Sequence, residues 1–375
     1  MYDDAKLDPL CCCEYFDRDN ERNHLLGCCC NCIDFDIACE RLITCESIST
    51  KIKSNMLLTF QDRLRIPWRG GAKQISFEAT IPIVLLPVSL FVAAVNVYCC
   101  IATCLVIPLF LGYTYYCLRS IFPRTKFFFL WSFWSVAYLC ILFESTVPLM
   151  EILPEENAVL ILMIVAAMFC FYKVKLRAPL NHVVQSDTDI DNLPDITEEQ
   201  TTLLIDDDGE SDESEANPNI CSKCHKYTPP RTFHCAICQA CIVKRDHHNI
   251  WLDACVGESN HRFFFFGCII SIMALILGTN LALTSICHPF SIGRIFGIPI
   301  FLPDDCSEVF DQFDVALCFV GSIYGIMLAI CLTMVILQQI FFISKGVTGT
   351  EWHRGDVSSR KNCYVNWKIF CCWLR

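Results

Sequence analysis

From Ala79 to Leu118 the chain runs forty residues without a charged side chain. A helix rises about 1.5 Å per residue and the bilayer hydrocarbon core is about 30 Å thick, so one crossing takes roughly 20 residues. Forty residues therefore read as two crossings, joined by a tight turn near Asn96 to Cys100. Pro82, Pro87 and Pro108 would bend these helices without preventing insertion. Four more apolar stretches follow, at about 127–143, 158–172, 263–283 and 315–342. With 54% hydrophobic against 18% charged residues, the chain is too apolar for a water-facing globular surface. The expectation is an all-α polytopic membrane protein with six transmembrane helices.

Charge sets the orientation of such a bundle. Arg63, Arg65, Arg69 and Lys73 precede the first span, Arg119, Arg124 and Lys126 separate the second from the third, and Lys173, Lys175 and Arg177 follow the fourth. The loop after the third span carries Glu144, Glu151, Glu155 and Glu156 and no basic residue. The loop of some thirty residues after the fifth holds Arg294 against Asp304, Asp305 and Glu308. By the positive-inside rule, both termini and the segment after span four face the cytosol.

The expected organisation has six parts. Residues 1–78 form a Cys-rich cytosolic segment and 79–177 hold spans one to four. Residues 178–220 form a linker, 221–262 a small, irregular Cys/His domain in a cytosolic loop, 263–342 spans five and six, and 343–375 a cytosolic tail. The linker gathers thirteen acidic residues between Asp187 and Glu215 with no Lys or Arg. The net charge of −11 is thus local, and composition predicts disorder there. Glu199 to Leu204 within it resembles an acidic dileucine sorting signal. Met1 to Asp8 is short and polar, unlike a secretory leader. The 29 cysteines are accordingly expected to be mostly reduced thiols facing the cytosol, with zinc where their spacing is regular. The clusters Cys11–Cys13 and Cys28–Cys32 lack the paired C-x2-C spacing of a finger. They are open to three readings: metal ligands, acylation sites near a membrane, or an irregular cap without chemistry.

Regular spacing appears between Cys221 and His261. Cys221, Cys224, His234 and Cys241 follow C-x2-C-x9-H-x6-C, and adding fourteen to each number gives Cys235, Cys238, His248 and Cys255. Zinc takes four Cys/His ligands, and C-x2-C is the usual knuckle for two of them. Two interleaved structural zinc sites are expected, and metal binding would supply most of the folding energy of so small a loop. Asp246 and His247 remain outside both quartets. Their adjacency suits an oriented general base, or second-sphere support of the zinc ligand His248. The few basic residues of this tethered loop make nucleic acid a poor partner.

The run Asp246-His247-His248-Asn249, with its flanking knuckles, Trp251, Cys255 to Gly257 and Asn260 to Phe264, resembles the cysteine-rich domain of the DHHC protein S-acyltransferases, or palmitoyltransferases. Asp8 to Tyr15 and Asp62 to Trp68 resemble a six-span branch of that family. Thr348, Thr350 and Glu351 are similar to its TTxE element, with Gly349 in place of the second Thr. Asn366, followed by Phe370, resembles its C-terminal aromatic/Asn element. The resemblance implies two-step transfer of a long acyl chain from palmitoyl-CoA or another acyl-CoA to cysteines of cytosol-facing, membrane-associated client proteins. His247 would then be the base, Asp246 its orienting partner, and residue 249 the nucleophile.

Residue 249 is asparagine. A carboxamide has no thiolate form and cannot hold an acyl thioester. Cys255, six residues on, belongs to a quartet. Asp253, Ala254 and Arg177-Ala-Pro179 also depart from the family pattern. Two functions follow: an S-acyltransferase by family, or a catalytically silent relative that keeps the zinc fold as an adaptor or acyl-CoA binder.

Overall fold

The computed structural model describes residues 11–17, 20–25, 32–121, 124–147, 154–183, 220–224, 226–295, 298–355 and 362–371. The dileucine-like motif, Cys28–Cys30 and most of the acidic linker lie outside the described residues. The chain opens with strands β1 (Glu14–Phe16) and β2 (Arg22–His24), an antiparallel hairpin, then helices α1 (Cys32–Ile43) and α2 (Thr50–Arg63). Ser49 caps α2 by accepting from Ile52 N–H. A short ladder, β3 (Arg65–Ile66) with β4 (Lys73–Gln74), leads to α3 (Phe77–Ala93), α4 (Val97–Ile121), α5 (Phe127–Thr146) and α6 (Pro154–Arg177). Two hairpins follow, β5 (Thr232–Cys235) with β6 (Ala240–Val243) and β7 (His247–Asn249) with β8 (Ala254–Val256). Next come α7 (His261–Ile286), a hairpin of β9 (His288–Ile295) and β10 (Ile298–Asp305), α8 (Phe313–Lys345), α9 (Gly349–Arg354) and α10 (Cys363–Cys371).

Among the described residues, α4 to α8 are long and apolar enough to cross a membrane. Helix α3, the first of the six expected spans, has 17 residues and reaches about 25 Å, the lower end of the spanning range. The break between α3 and α4 falls at Ala94–Asn96, beside the expected turn. Leu105, Leu109, Leu162 and Met168 lie exposed along these helices, as lipid contact requires.

The chain divides into two compact units. One comprises 1–150 with 282–324 and the other 151–281 with 325–375. In the first, α3 packs on α4 and α5 around the buried Leu86, Leu90, Phe128 and Trp131. The Trp131 indole donates to the Tyr324 hydroxyl (3.1 Å), which also bonds Ser135 Oγ (2.7 Å). Polar groups at this depth must find partners inside the protein. The hairpin β9–β10 is closed at its base by a disulfide, Cys287–Cys306. These two cysteines depart from the expectation of reduced thiols, and they flank the loop expected to face away from the cytosol.

In the second unit α7 lies so close to α6 that a Cβ on Gly267 would come within 3.0 Å of Phe171 and 3.1 Å of Cys170. Val174, Val256, Phe264, Phe265, Ile336 and Ile343 form one core, with Trp367 and Phe370 of α10 packed against it. The fully buried Asn260 ties the hairpins to α6. Its Nδ2 donates to the carbonyls of Val174 (2.9 Å) and Cys255 (3.0 Å), and its Oδ1 accepts from Gly257 N–H (2.8 Å) and Asn181 Nδ2 (3.2 Å). Residues 178–181, at the start of the expected linker, are a 3-10 turn, and Val183 N–H bonds the Cys241 carbonyl (3.0 Å). The Cys/His domain, expected to be irregular, is built on two hairpins.

Candidate active site and metal centres

Both quartets converge. The ligand atoms of Cys221, Cys224, His234 and Cys241 lie within 4.8 Å of one another, as do those of Cys235, Cys238, His248 and Cys255. Zn–S bonds of about 2.3 Å and Zn–N bonds of about 2.0 Å in a tetrahedron put sulfurs about 3.8 Å apart and S···N about 3.5 Å apart. In the second quartet Cys238 Sγ lies 3.5 Å from Cys255 Sγ, and His248 Nδ1 lies 3.4, 3.5 and 3.9 Å from the sulfurs of Cys238, Cys255 and Cys235. In the first, His234 Nδ1 lies 3.1 Å from Cys224 Sγ and 3.9 Å from Cys241 Sγ. The donors and their spread fit zinc.

The fourteen-residue period has a structural cause. His234 pairs across its hairpin with Cys241, and His248 pairs across the next with Cys255. Gln239 and Asp253, fourteen apart, both take the left-handed conformation, with φ of 53° and 45°. Within the first hairpin the Cys238 N–H points at Cys235 Sγ (3.5 Å), as in a zinc knuckle. In the second, the Leu252 N–H donates to Asn249 Oδ1 (3.1 Å). Asn249 and Leu252 therefore stand where Cys235 and Cys238 stand one repeat earlier. The third knuckle keeps its turn without its metal.

Asp246 is 2% exposed and saturated with donors. Its Oδ2 receives His247 Nδ1–H (2.7 Å) and Gln339 Nε2 (2.9 Å), and its Oδ1 receives Gly349 N–H (2.6 Å). Its backbone carbonyl accepts from Thr350 Oγ1 (2.7 Å). Burial works to raise the Asp246 pKa, but the His247 hydrogen bond, the electrostatic pull of the nearby His261 and His247 imidazoles, and the Gly349 N–H hold it below the carboxylate range. With Nδ1–H given to Asp246, His247 Nε2 carries a lone pair. That lone pair faces Asn249 Nδ2 at 3.4 Å. Both ends of the Asn249 amide are thus engaged.

The residues after α8 hold this pair. Thr348 and Glu351 form a reciprocal capping box on α9. Glu351, 6% exposed, also receives Arg231 Nη2 of the Cys/His domain at 2.7 Å. Burial favours the neutral acid, but the Arg231 guanidinium and Thr348 N–H lower the Glu351 pKa. A Cβ on Gly349 would lie 3.2 Å from the Asp246 carbonyl oxygen and 3.3 Å from Oδ1, so Asp246 leaves little room for a side chain there. Asn366 is more remote. It donates to the Ser344 carbonyl (2.9 Å) and packs against Gly346, whose φ of +71° ends α8. The sequence alone did not expose Gln339, which bridges Asp246 to His261 Nε2 (2.6 Å) from inside α8. The amide pair Gln338–Gln339 in an apolar run was its only signal.

The DHHC palmitoyltransferase family model matches residues 214–356. The palmitoyltransferase ZDHHC23 of Homo sapiens is 30% identical, covering 93% of this chain and 90% of the relative. ZDHHC23-B of Danio rerio is 32% identical over 91% and 84% of the two chains, and the Mus musculus ZDHHC23 29% over 93% and 86%. The chain belongs to the DHHC palmitoyltransferase family. It is an integral membrane protein in a family that works with acyl-CoA at the bilayer, and its two Cys/His clusters could hold zinc.

Proposed function

We propose that this chain is a zinc-folded DHHC relative that binds long-chain acyl-CoA and cytosol-facing, membrane-associated client proteins without forming an acyl-enzyme. Asn249 carries the reading. It occupies the nucleophile position, with Oδ1 held by Leu252 N–H and Nδ2 against His247. A carboxamide so placed offers no sulfur to accept an acyl chain. In this reading the eight ligands hold two structural zinc ions, and basic residues beside the membrane meet the phosphates of coenzyme A. The Cys287–Cys306 disulfide supports the orientation, because such bonds persist in oxidising compartments. In this reading the β9–β10 loop lies on the lumenal or exterior face, and the Cys/His domain and both termini lie in the cytosol.

The intact Asp246–His247 pair favours a second reading, transfer without an acyl-enzyme. A client thiol would give its proton to His247 Nε2 while its sulfur attacks the acyl carbonyl carbon. The C–S bond to coenzyme A would break, and the departing thiolate would recover the proton.

Incubation of the purified full chain with an alkynyl acyl-CoA and a client peptide separates these readings. The first expects no hydroxylamine-sensitive label within 221–261 and no client acylation above the uncatalysed rate. Client acylation that falls in His247→Ala would establish the second. Label within 221–261 as strong as in Asn249→Cys would overturn both.

A further inference from the structure

The N-terminal lobe joins two motifs fifty residues apart. Trp68 N–H donates to the Cys12 carbonyl (3.1 Å), Ala72 N–H to the Glu14 carbonyl (2.8 Å), and Arg65 stacks on the Tyr15 ring at 4.1 Å. Arg65 is itself fixed by Asp62 (2.6 Å). Cys11 to Cys13 are thereby clamped to the β3–β4 ladder, which leads into α3. Arg65 pairs with Gln74 at the end of that ladder nearer α3, and Ile66 pairs with Lys73 at the turn side that carries Trp68. Phe60, at the end of α2, stacks on Phe77, the first residue of α3 (5.2 Å).

The same lobe exposes large apolar side chains: Phe60 by 61%, Trp68 by 52% and Ile66 by 44%. Lys73 lies over the Trp68 ring at 5.0 Å. Exposed Trp beside Lys and Arg at the mouth of an apolar helix is the chemistry of a membrane–water interface. Cys11 and Cys12 are exposed on this lobe, while Cys13 is half-buried. Among the described residues, the groups whose ligand atoms converge for a metal are the two quartets, and Cys11–Cys13 are not among them.

We propose that Cys11 and Cys12 are S-acylation sites, taking long acyl chains that pin the N-terminal lobe to the cytosolic surface of the bilayer. The donor is a long-chain acyl-CoA. The cysteine sulfur attacks the acyl carbonyl carbon, a new C–S bond forms, and the C–S bond to coenzyme A breaks. The thiol proton leaves with the coenzyme A thiolate. The Cys13 N–H directed at Cys11 lowers its pKa, whereas bonding to Cys13 and Cys11 raises that of Cys12, which makes Cys11 the first acceptor. One acyl chain alone binds a membrane weakly, but here it adds to an aromatic and basic face on a lobe already tethered by α3.

The test maps acyl chains by mass spectrometry on the full chain purified from cells fed an alkynyl palmitate analogue. The expected result is a hydroxylamine-sensitive acyl mass on the peptide containing residues 11–13. It should fall in Cys11→Ser and vanish from that peptide in Cys11→Ser/Cys12→Ser/Cys13→Ser, with zinc constant at two per chain. A peptide free of acyl mass in the unmodified protein overturns the proposal, whatever other cysteines carry. So does a third zinc that is lost in the triple variant. Label at 249 is scored on its own peptide and bears only on the nucleophile reading.

Discussion

Replacing Asn249 with cysteine tests whether residue 249 stands in a preformed nucleophile position. Leu252 N–H, now 3.1 Å from Asn249 Oδ1, would point at the new Sγ as Cys238 N–H points at Cys235. His247 Nε2, 3.4 Å from Asn249 Nδ2, would stand ready for the thiol proton. A hydrogen bond to a charged group is worth roughly 1.5–3 kcal/mol, and one pKa unit is about 1.4 kcal/mol, so the thiol should fall by about one to two units from its usual value near 8.5. Alkylation of Asn249→Cys by iodoacetamide, followed against pH on the peptide containing residue 249, should show a midpoint of roughly 6.5–7.5. Adding His247→Ala should return the midpoint toward about 8.5. The variant should also gain a hydroxylamine-sensitive acyl thioester at position 249. A midpoint at or above the free-thiol value, with two zinc ions still bound, would refute the idea that the site is preformed.

Metal analysis of the intact protein should find two zinc ions per chain. Cys241→Ser should lower that number and Asn249→Ala should not, whereas one ion or none in the unmodified protein rules out the paired quartets. Gln339→Leu removes a buried donor from Asp246 and leaves the His261 imidazole without its acceptor, so thermal denaturation should reveal a loss of about 1–3 kcal/mol. In the Asn249→Cys background the same change should slow acylation more than zinc loss can explain, and Gln339→Glu should not reproduce the normal rate. Cys287 and Cys306 should react with maleimide-polyethylene glycol only after reduction. Cys306→Ser should cost about 3 kcal/mol, as expected for a 19-residue separation. Maleimide reaction without reductant would contradict the assignment of that loop to an oxidising compartment.

The parts that could be read in the sequence were those governed by one-dimensional rules. Uncharged runs mark the membrane helices because hydrocarbon tolerates little else, and the period of fourteen marks both quartets because a zinc ligand set has fixed geometry. Asp246 and His247 stood out by elimination, once the eight ligands were assigned. The partners of Asp246 were hidden, because Gln339 lies more than ninety residues away in a helix read only for its apolarity. The β9–β10 hairpin was hidden as well, since Pro289, Pro299 and Pro303 argue against strands. The Cys287–Cys306 pair was one of many possible pairings among 29 cysteines. The first span is shorter than its uncharged run suggested because the turn at Ala94–Asn96 divides the forty residues unevenly.

The released third knuckle separates two burdens that small metal domains usually carry together. Cys221 and Cys235 each belong to a quartet that could hold zinc, so changing either would be expected to unfold its surroundings. Asn249 holds the equivalent place in the next copy with no ion to lose, and its turn closes through a backbone N–H that either an amide oxygen or a sulfur can accept. Chemistry at this position can therefore be written, erased or restored while the scaffold stays standing. On such an architecture, binding and catalysis would differ by a single side chain.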